Sequence, residues 1–164
     1  MIDARYLEIG TWKGSSICSA MCNNNMKCLA IDNWCEFGGP KTDFLKNFNK
    51  FKGNNDANFI EKNCWDIDVS KIGKFNIYMF DGNHKARSHI KSLTHYYNCL
   101  DNEFIYIVDD WAMPRVHAGT MQAIKQLNLK VLYKKEIIPY GARKNCDILD
   151  KEWWNGIVIF VFKK

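Results

Sequence analysis

Short apolar stretches alternate along the chain with segments whose apolar residues recur at helical spacing. The apolar stretches predict seven strands, which cover residues 5–9, 27–31, 59–64, 74–80, 103–108, 129–138 and 156–162. The helical spacing, bounded by Ser, Pro and Asn residues, predicts helices over 14–23, 42–51, 86–100 and 114–127. This alternation predicts an α/β fold with a mainly parallel sheet that helices cover on both faces.

Unusual polar and aromatic residues concentrate in the loops that follow the predicted strands. In a parallel α/β sheet these loops lie at the carboxyl ends of the strands, where ligands bind. They span residues 10–14, 32–34, 64–66, 81–84, 109–111 and 139–155. We therefore expect the functional site at this edge of the sheet.

Three aspartates follow two of the most apolar predicted strands. Asp81 comes directly after residues 75–80, and Asp109 and Asp110 come directly after residues 103–108. A buried carboxylate without a partner is unfavourable, and three of them at one sheet edge can share an oxygen-seeking cation. Each aspartate taken alone could be an ordinary turn or capping residue. Their common position favours a divalent metal site.

A glycine-marked turn links the first predicted strand to the first predicted helix. Gly10 and Gly14 bracket it, and glycine allows positive φ and a close approach of the backbone to a ligand. Asp32 ends the second strand, 22 residues after Gly10, where its carboxylate can accept hydrogen bonds from both ribose hydroxyls. The middle glycine of a dinucleotide motif is missing, which favours a nucleoside without a pyrophosphate.

The segments 6–14 (YLEIGTWKG) and 30–32 (AID) resemble the cofactor half of class I S-adenosylmethionine-dependent methyltransferases. The resemblance implies a Rossmann-like methyltransferase fold, with a mainly parallel seven-stranded sheet, helices on both faces and an antiparallel last strand. It also implies S-adenosyl-L-methionine as the cofactor. From the methionine side through the ribose to the adenine side, the implied binding residues are Glu8, Gly10, Gly14, Asp32, Trp34, Trp65 and Asp66.

The segment 81–84 (DGNH) and the pair at 109–110 (DD) resemble the metal-dependent O-methyltransferases of the same superfamily. The likeness is strongest to the sugar O-methyltransferases that modify deoxysugars on macrolide antibiotics. It implies that Asp81, Asp109 and Asp110 bind Mg²⁺ or Mn²⁺ and that the acceptor is a sugar or glycan hydroxyl. His84 is the implied general base, and an imidazole pKa of ~6.5 suits that role.

Two other functions stay open. The acceptor could be a small catechol or phenol, although catechol-type enzymes carry Lys where this chain has His84. The chain could also be a non-catalytic nucleoside-binding module. Related enzymes carry helices before the first strand that are missing here. We therefore expect either an open acceptor site or a single methyltransferase domain, residues 1–164, attached to other domains of a glycan-modifying protein.

Composition and charge limit the number of domains, the cellular compartment and the kind of partner. A length of 164 residues suits one domain, and no apolar run reaches the ~18 residues that would span a bilayer. The seven cysteines are odd in number and lack zinc-site spacing, which favours buried thiols in a reducing, cytoplasmic compartment. The net charge of +5 comes from scattered Lys and Arg and does not favour a nucleic-acid partner.

Overall fold

The computed structural model describes residues 3–138 and 155–164, in which strands and helices alternate. The strands are β1 (Arg5–Ile9), β2 (Lys27–Asp32), β3 (Asp56–Glu61), β4 (Phe75–Phe80), β5 (Leu100–Asp109), β6 (Lys130–Ile137) and β7 (Ile157–Lys163). The α-helices are α1 (Ser15–Met21), α2 (Lys41–Phe51), α3 (Ala86–Tyr96) and α4 (Pro114–Gln126). None of these helices has the length and apolar character needed to cross a membrane.

The seven strands form one sheet in the order β3-β2-β1-β4-β5-β7-β6. Strands β1 to β5 pair in parallel. β7 runs antiparallel between β5 and β6. The strand order reverses at β1, so the loops that follow β1 and β4 open side by side at the carboxyl edge. The predicted fold class, including the antiparallel last strand, is confirmed.

One face of the sheet carries the larger core. Tyr78, Tyr106 and Phe160 are buried there in neighbouring strands, at exposed fractions of 0–1%. The Tyr78 hydroxyl donates to the Ser92 carbonyl (3.2 Å), and the Tyr106 hydroxyl lies 2.8 Å from the Ser92 hydroxyl. Since Ser92 belongs to α3, this helix packs directly on the centre of the sheet.

Helices α1 and α2 cover the opposite face over β1, β2 and β3. Their smaller core contains Ile17 and Phe44 from the helices and Tyr6 from β1. Met79 is its buried member from β4. Within the described residues, no fully buried member of this cluster comes from β5, β6 or β7. The helical layer on this face therefore stops near the middle of the sheet.

Helices α3 and α4 touch through their backbones at Gly119. A Cβ at this position would lie 2.3 Å from the Ala86 carbonyl oxygen, so the close approach requires glycine. Ala86 is the first residue of α3, and α4 begins at Pro114. The contact therefore fixes the loops that follow β4 and β5 relative to each other.

The main disagreement with the predicted elements concerns β3. It begins at Asp56, three residues before the predicted start, and residues 64–66 form a 3₁₀ turn. The side chain of Asn55 fixes the start of the strand, since it accepts from the Met26 N–H and donates to the Met21 carbonyl. β3 is an edge strand with few buried positions, so its start lacks the apolar run that marks the other strands. The predicted loop 139–155 lies outside the described residues except for Asn155.

Candidate functional site

The glycine turn after β1 lies directly against the end of β4. Gly10 has φ 81° and donates its N–H to the Ile31 carbonyl (3.0 Å), and Gly14 has φ 85°. A Cβ on Gly10 would lie 1.9 Å from the Asp81 carbonyl oxygen, which leaves no room for any side chain. The predicted cofactor turn and the predicted metal loop are therefore in backbone contact.

Asp32 holds the glycine turn in place. Its Oδ2 accepts from the N–H groups of Thr11 (2.8 Å) and Trp12 (2.9 Å), and its Oδ1 accepts from the Trp34 N–H (2.8 Å). A carboxylate offers about four acceptor positions, so three are already used. The predicted ribose contact stays a prediction, and it would have to use the remaining acceptor position or replace one of these bonds.

Glu8 lies beneath the turn and is fully buried. It accepts hydrogen bonds from the Tyr6 hydroxyl and from the Ser16 hydroxyl (2.8 Å). Burial raises the pKa of Glu8 to about 7, although these two hydrogen bonds partly oppose the rise. The Thr11 hydroxyl in the turn is buried without a hydrogen-bond partner among the described residues. A turn with an orphaned buried hydroxyl fits one that gains a polar ligand.

The three residues proposed for the adenine side differ in their placement. Trp34 is 6% exposed and its ring packs on Phe44 at 4.8 Å between centroids, so the indole is a core residue and not a wall of the open edge. The predicted adenine-side role of Trp34 stays a prediction. Trp65 is half-buried against Phe80, and Asp66 is exposed in the 3₁₀ turn after β3. Both stay candidates.

Beside the glycine turn, three side chains converge: Asp81, His84 and Asp110. One potential ligand atom from each lies within 4.8 Å of the other two. His84 Nε2 lies 2.7 Å from Asp110 Oδ2, and Asn155 donates to Asp110 Oδ1 at 2.9 Å. Asp110 adopts a left-handed backbone with φ 54° as the chain leaves β5, which turns its side chain into the cluster.

The electrostatics of this cluster are those of several negative charges held close together. Burial and the neighbouring charges of Asp109 and Asp110 raise the pKa of Asp81 to about 8. Burial alone would raise the pKa of Asp110, but hydrogen bonds from His84 and Asn155 outweigh it, so that pKa is lowered. The hydrogen bond to Asp110 raises the pKa of His84. A divalent cation would remove this repulsion and release the Asp81 proton.

The observed cluster differs in membership from the predicted metal set. Asp109, predicted as a ligand, ends β5 and acts on Asp81 and His84 through its charge, but it is outside the converging group in the described part of the chain. His84, predicted as the base, belongs to that group. The two carboxylates supply the oxygen ligands that Mg²⁺ and Mn²⁺ prefer, whereas an imidazole ligand is more typical of Zn²⁺, Fe²⁺ and Ni²⁺.

Two asparagines support the cluster and were not anticipated from the sequence. Asn155 lies just before β7 and bonds to Asp110. Asn83 Oδ1 accepts from the Lys85 N–H (3.1 Å) and the Ser88 hydroxyl (3.1 Å), so it anchors the start of α3 next to His84. The Asn83 contacts follow a common Asx-turn pattern, and that pattern was a readable signal.

Among known proteins, the chain resembles solved structures and not sequences. No protein-family model matches the sequence, and no curated protein matches it. An O-methyltransferase from Bacillus cereus in complex with SAH matches 97% of this chain and 74% of its own, at 13% identity and a TM-score of 0.65. A putative O-methyltransferase from Klebsiella pneumoniae matches 98% and 73% of the two chains, at 13% identity and a TM-score of 0.64.

A third similar structure is an rRNA methylase from Streptococcus thermophilus, which matches 98% of this chain and 87% of its own at 8% identity and a TM-score of 0.64. The chain has the Rossmann-like methyltransferase fold. At these identities the likeness establishes the fold alone. Since proteins with this fold are named for different acceptors, the choice of acceptor must be argued from this chain's own site.

Proposed function

We propose that the chain is an S-adenosylmethionine-dependent O-methyltransferase that uses Mg²⁺ or Mn²⁺ to methylate a sugar or glycan hydroxyl. The observation that carries the proposal is the contact between Gly10 and the Asp81 backbone. It sets the turn that would hold the methyl donor beside the cluster that would hold the cation and the acceptor. The methyltransferase fold and the SAH-bound O-methyltransferase of Bacillus cereus support the choice of donor.

Each residue of the site has a distinct role in the proposed reaction. When bound, S-adenosylmethionine supplies an electrophilic methyl group and the divalent cation supplies a Lewis acid that favours deprotonation of a sugar hydroxyl. Asp81 and Asp110 would hold the cation, and the charge of Asp109 adds to their attraction for it. Asp32 braces the glycine turn, and Glu8 holds the first turn of α1, which follows it, through Ser16. Positioning of the two reactants would then lower the barrier by several kcal/mol, on the order of 7.

His84 would accept the proton from the hydroxyl. Its bond to Asp110 orients the ring and raises its pKa, so it accepts protons more strongly than a free imidazole. Its membership of the converging group also allows it to bind the cation. The variant His84→Gln separates these roles, because loss of a base lowers kcat ~10²–10⁴-fold at unchanged cation affinity. Loss of a ligand weakens cation binding as well.

A sugar acceptor is favoured over a catechol because His84 stands where catechol-type enzymes carry Lys. The exposed indole of Trp12, 49% accessible at the rim of the glycine turn, offers a flat face on which a sugar ring can stack. The cysteines in the described residues are all free thiols, which fits the reducing cytoplasm that we propose as its location. We propose no membrane or nucleic-acid partner, and in a longer protein we propose other glycan-modifying domains as its neighbours.

The test is a methyl-transfer assay with labelled S-adenosylmethionine and a panel of deoxysugar glycosides and catechols, run with and without chelator. We expect transfer to a glycoside that chelator abolishes and added Mg²⁺ or Mn²⁺ restores. Asp81→Asn should abolish transfer, and the exposed Asp68→Asn is the matched control that should retain it. Full activity in chelator would remove the cation from the proposal. Cofactor binding by calorimetry without transfer to any acceptor would instead favour a nucleoside-binding module.

A further inference from the structure

Among residues 3–138 and 155–164, no helix covers the β5, β7 and β6 half of the sheet on the face that α1 and α2 share. Five aliphatic residues on three adjacent strands form this bare face: Ile77, Ile105, Ile107, Ile159 and Val161. All five are half-buried, whereas their neighbours on the opposite face are almost completely buried. Of the five, Ile105, Ile159 and Val161 belong to neither core cluster of the described residues.

A bare face on this part of the sheet is unusual. β4 and β5 are parallel strands, and parallel strands normally have both faces covered because their side chains are apolar on both sides. Here α3 and α4 cover one face, and the fully buried part of the layer on the other face ends at Met79, with Ile77 and Ile107 only partly buried against it. Burial of aliphatic area stabilises by about 25 cal/mol per Å², so this face favours a covering layer.

The bare face continues onto β6 at the edge of the sheet. Tyr133 pairs with Val161, and Ile137 pairs with Ile157, which places both on the same side as the five aliphatic residues. Tyr133 is 53% exposed and Ile137 is 46% exposed. The apolar surface therefore spans four neighbouring strands and is interrupted on β6 by the charged Lys135.

We propose that a second copy of this chain covers the bare face, with the two sheets packed face to face about a two-fold axis parallel to the strands. In this arrangement β5 of one copy lies over β7 of the other. Ile105 then meets Val161 of the second copy, and Ile107 meets Ile159 of the second copy. Such aligned packing of two twisted sheets, ~10 Å apart, is a common way to bury two apolar faces.

Charge complementarity at the end of the face favours a second copy over an unrelated partner. Glu103 and Lys163 pair across β5 and β7, with their charged groups 3.7 Å apart and their side chains 60% and 48% exposed. Because the two-fold axis exchanges β5 and β7, Glu103 of each copy faces Lys163 of the other. The rim of one face is therefore complementary to itself, as a two-fold interface requires.

The size of the face sets the strength of the dimer. Four strands at ~4.8 Å spacing and about three same-face positions per strand give a footprint of roughly 400 Å². Two such faces would bury roughly 800 Å² in total, which is below the ~1,200–2,000 Å² of stable specific interfaces and in the range of weak, transient ones. We therefore expect dissociation in the micromolar range and not an obligate dimer.

The test is sedimentation velocity of the intact chain from roughly 1 to 200 µM. The expected result is a concentration-dependent shift from 19.2 kDa toward twice that mass. Ile159→Lys should leave the chain monomeric throughout. Phe51→Lys, which changes a 38% exposed aromatic on α2, is the matched control and should dimerise like the unchanged chain. A chain that stays monomeric at the highest concentration, or an Ile159→Lys chain that still dimerises, would overturn the proposal.

A charge exchange tests the orientation with two exposed residues, whose substitution leaves the buried cores unchanged. Glu103→Lys alone places like charges opposite each other and should weaken the dimer at least about tenfold. Adding Lys163→Glu restores opposite charges across the axis and should recover the affinity. Equal dissociation constants for the single and double variants would rule out the pairing of β5 over β7 that defines the proposed dimer. If the face binds only an unrelated polypeptide, the chain stays monomeric at every concentration, which would overturn the proposal.

Discussion

Replacing Asp81 by Asn should stabilise the chain in the absence of divalent cations. Burial and two neighbouring carboxylates raise the pKa of Asp81 from 3.8 to about 8. Because the folded-state pKa lies above the unfolded value, the folded state binds more protons between these two limits. The stability from protonated Asp81 is complete below pH 3.8 and is lost as the pH rises through about 8.

The magnitude follows from that gap. At about 1.4 kcal/mol per pH unit above 3.8, ionisation of Asp81 in the unfolded chain makes the folded state about 4 kcal/mol less stable at pH 7 than at acid pH. Asn carries no charge at any of these pH values, but its amide also loses hydration on burial, so the net gain at pH 7 is about 2–4 kcal/mol. The gain shrinks toward zero below pH 4.

The assay is urea unfolding in chelator at several pH values between 4 and 9 for the unchanged chain and Asp81→Asn. We expect the two free energies of unfolding to diverge as the pH rises. Mg²⁺ or Mn²⁺ at about 100 times its dissociation constant should then stabilise only the unchanged chain, by about 2.7 kcal/mol. Parallel pH curves for the two chains would refute the account of the cluster. So would an equal response of both chains to the cation.

Three further changes test the turn and its supports. Gly10→Ala should lower the free energy of unfolding by several kcal/mol in a urea titration, because a Cβ there would lie 1.9 Å from the Asp81 carbonyl oxygen. Gly38→Ala is the control, because Gly38 has a similar φ of 80° but open space around it, and its free energy of unfolding should fall by only about 1 kcal/mol. Equal losses for the two variants would contradict the contact between Gly10 and Asp81. Asp32→Asn keeps the shape but loses charge-assisted bonds to the turn, so calorimetry should show ~10-fold weaker S-adenosylmethionine binding, and unchanged affinity would count against the bracing role. Burial raises the pKa of Glu8 from 4.5 to about 7, so the stability that protonated Glu8 contributes is complete below pH 4.5 and is lost as the pH rises through 7. In urea unfolding, Glu8→Gln should reduce this pH dependence of the unfolding free energy by about 3 kcal/mol. A pH curve for the variant that runs parallel to the original would show that Glu8 is not the source of the dependence.

The sequence predicted the sheet well where burial is strong. β4 and β5 are continuous apolar runs, and the aspartates after them meet at one edge because parallel strands end there together. The start of β3 was predicted three residues too late, because an edge strand buries few residues. Its start is fixed by a hydrogen bond from the Asn55 side chain to Met21 in α1, which is distant in the sequence.

The details of the site were less predictable than its location. Whether Asp109 or Asp110 turns into the cluster depends on the left-handed backbone at Asp110, and a pair of identical residues carries no signal for that choice. The burial of Trp34 depends on the ring of Phe44 from another element. Both outcomes arise from tertiary packing, which local patterns do not encode.

The backbone contact between Gly119 and Ala86 has a consequence for engineering new acceptor preferences. The contact lies at the start of α3, just after His84 in the chain, and it ties together the two loops that carry His84 and Asp110. A mutational library should therefore hold position 119 constant and diversify the rim around Trp12. If position 119 and the residues around Trp12 are randomised together, useful variants near Trp12 are lost in every clone whose side chain at 119 separates α3 from α4.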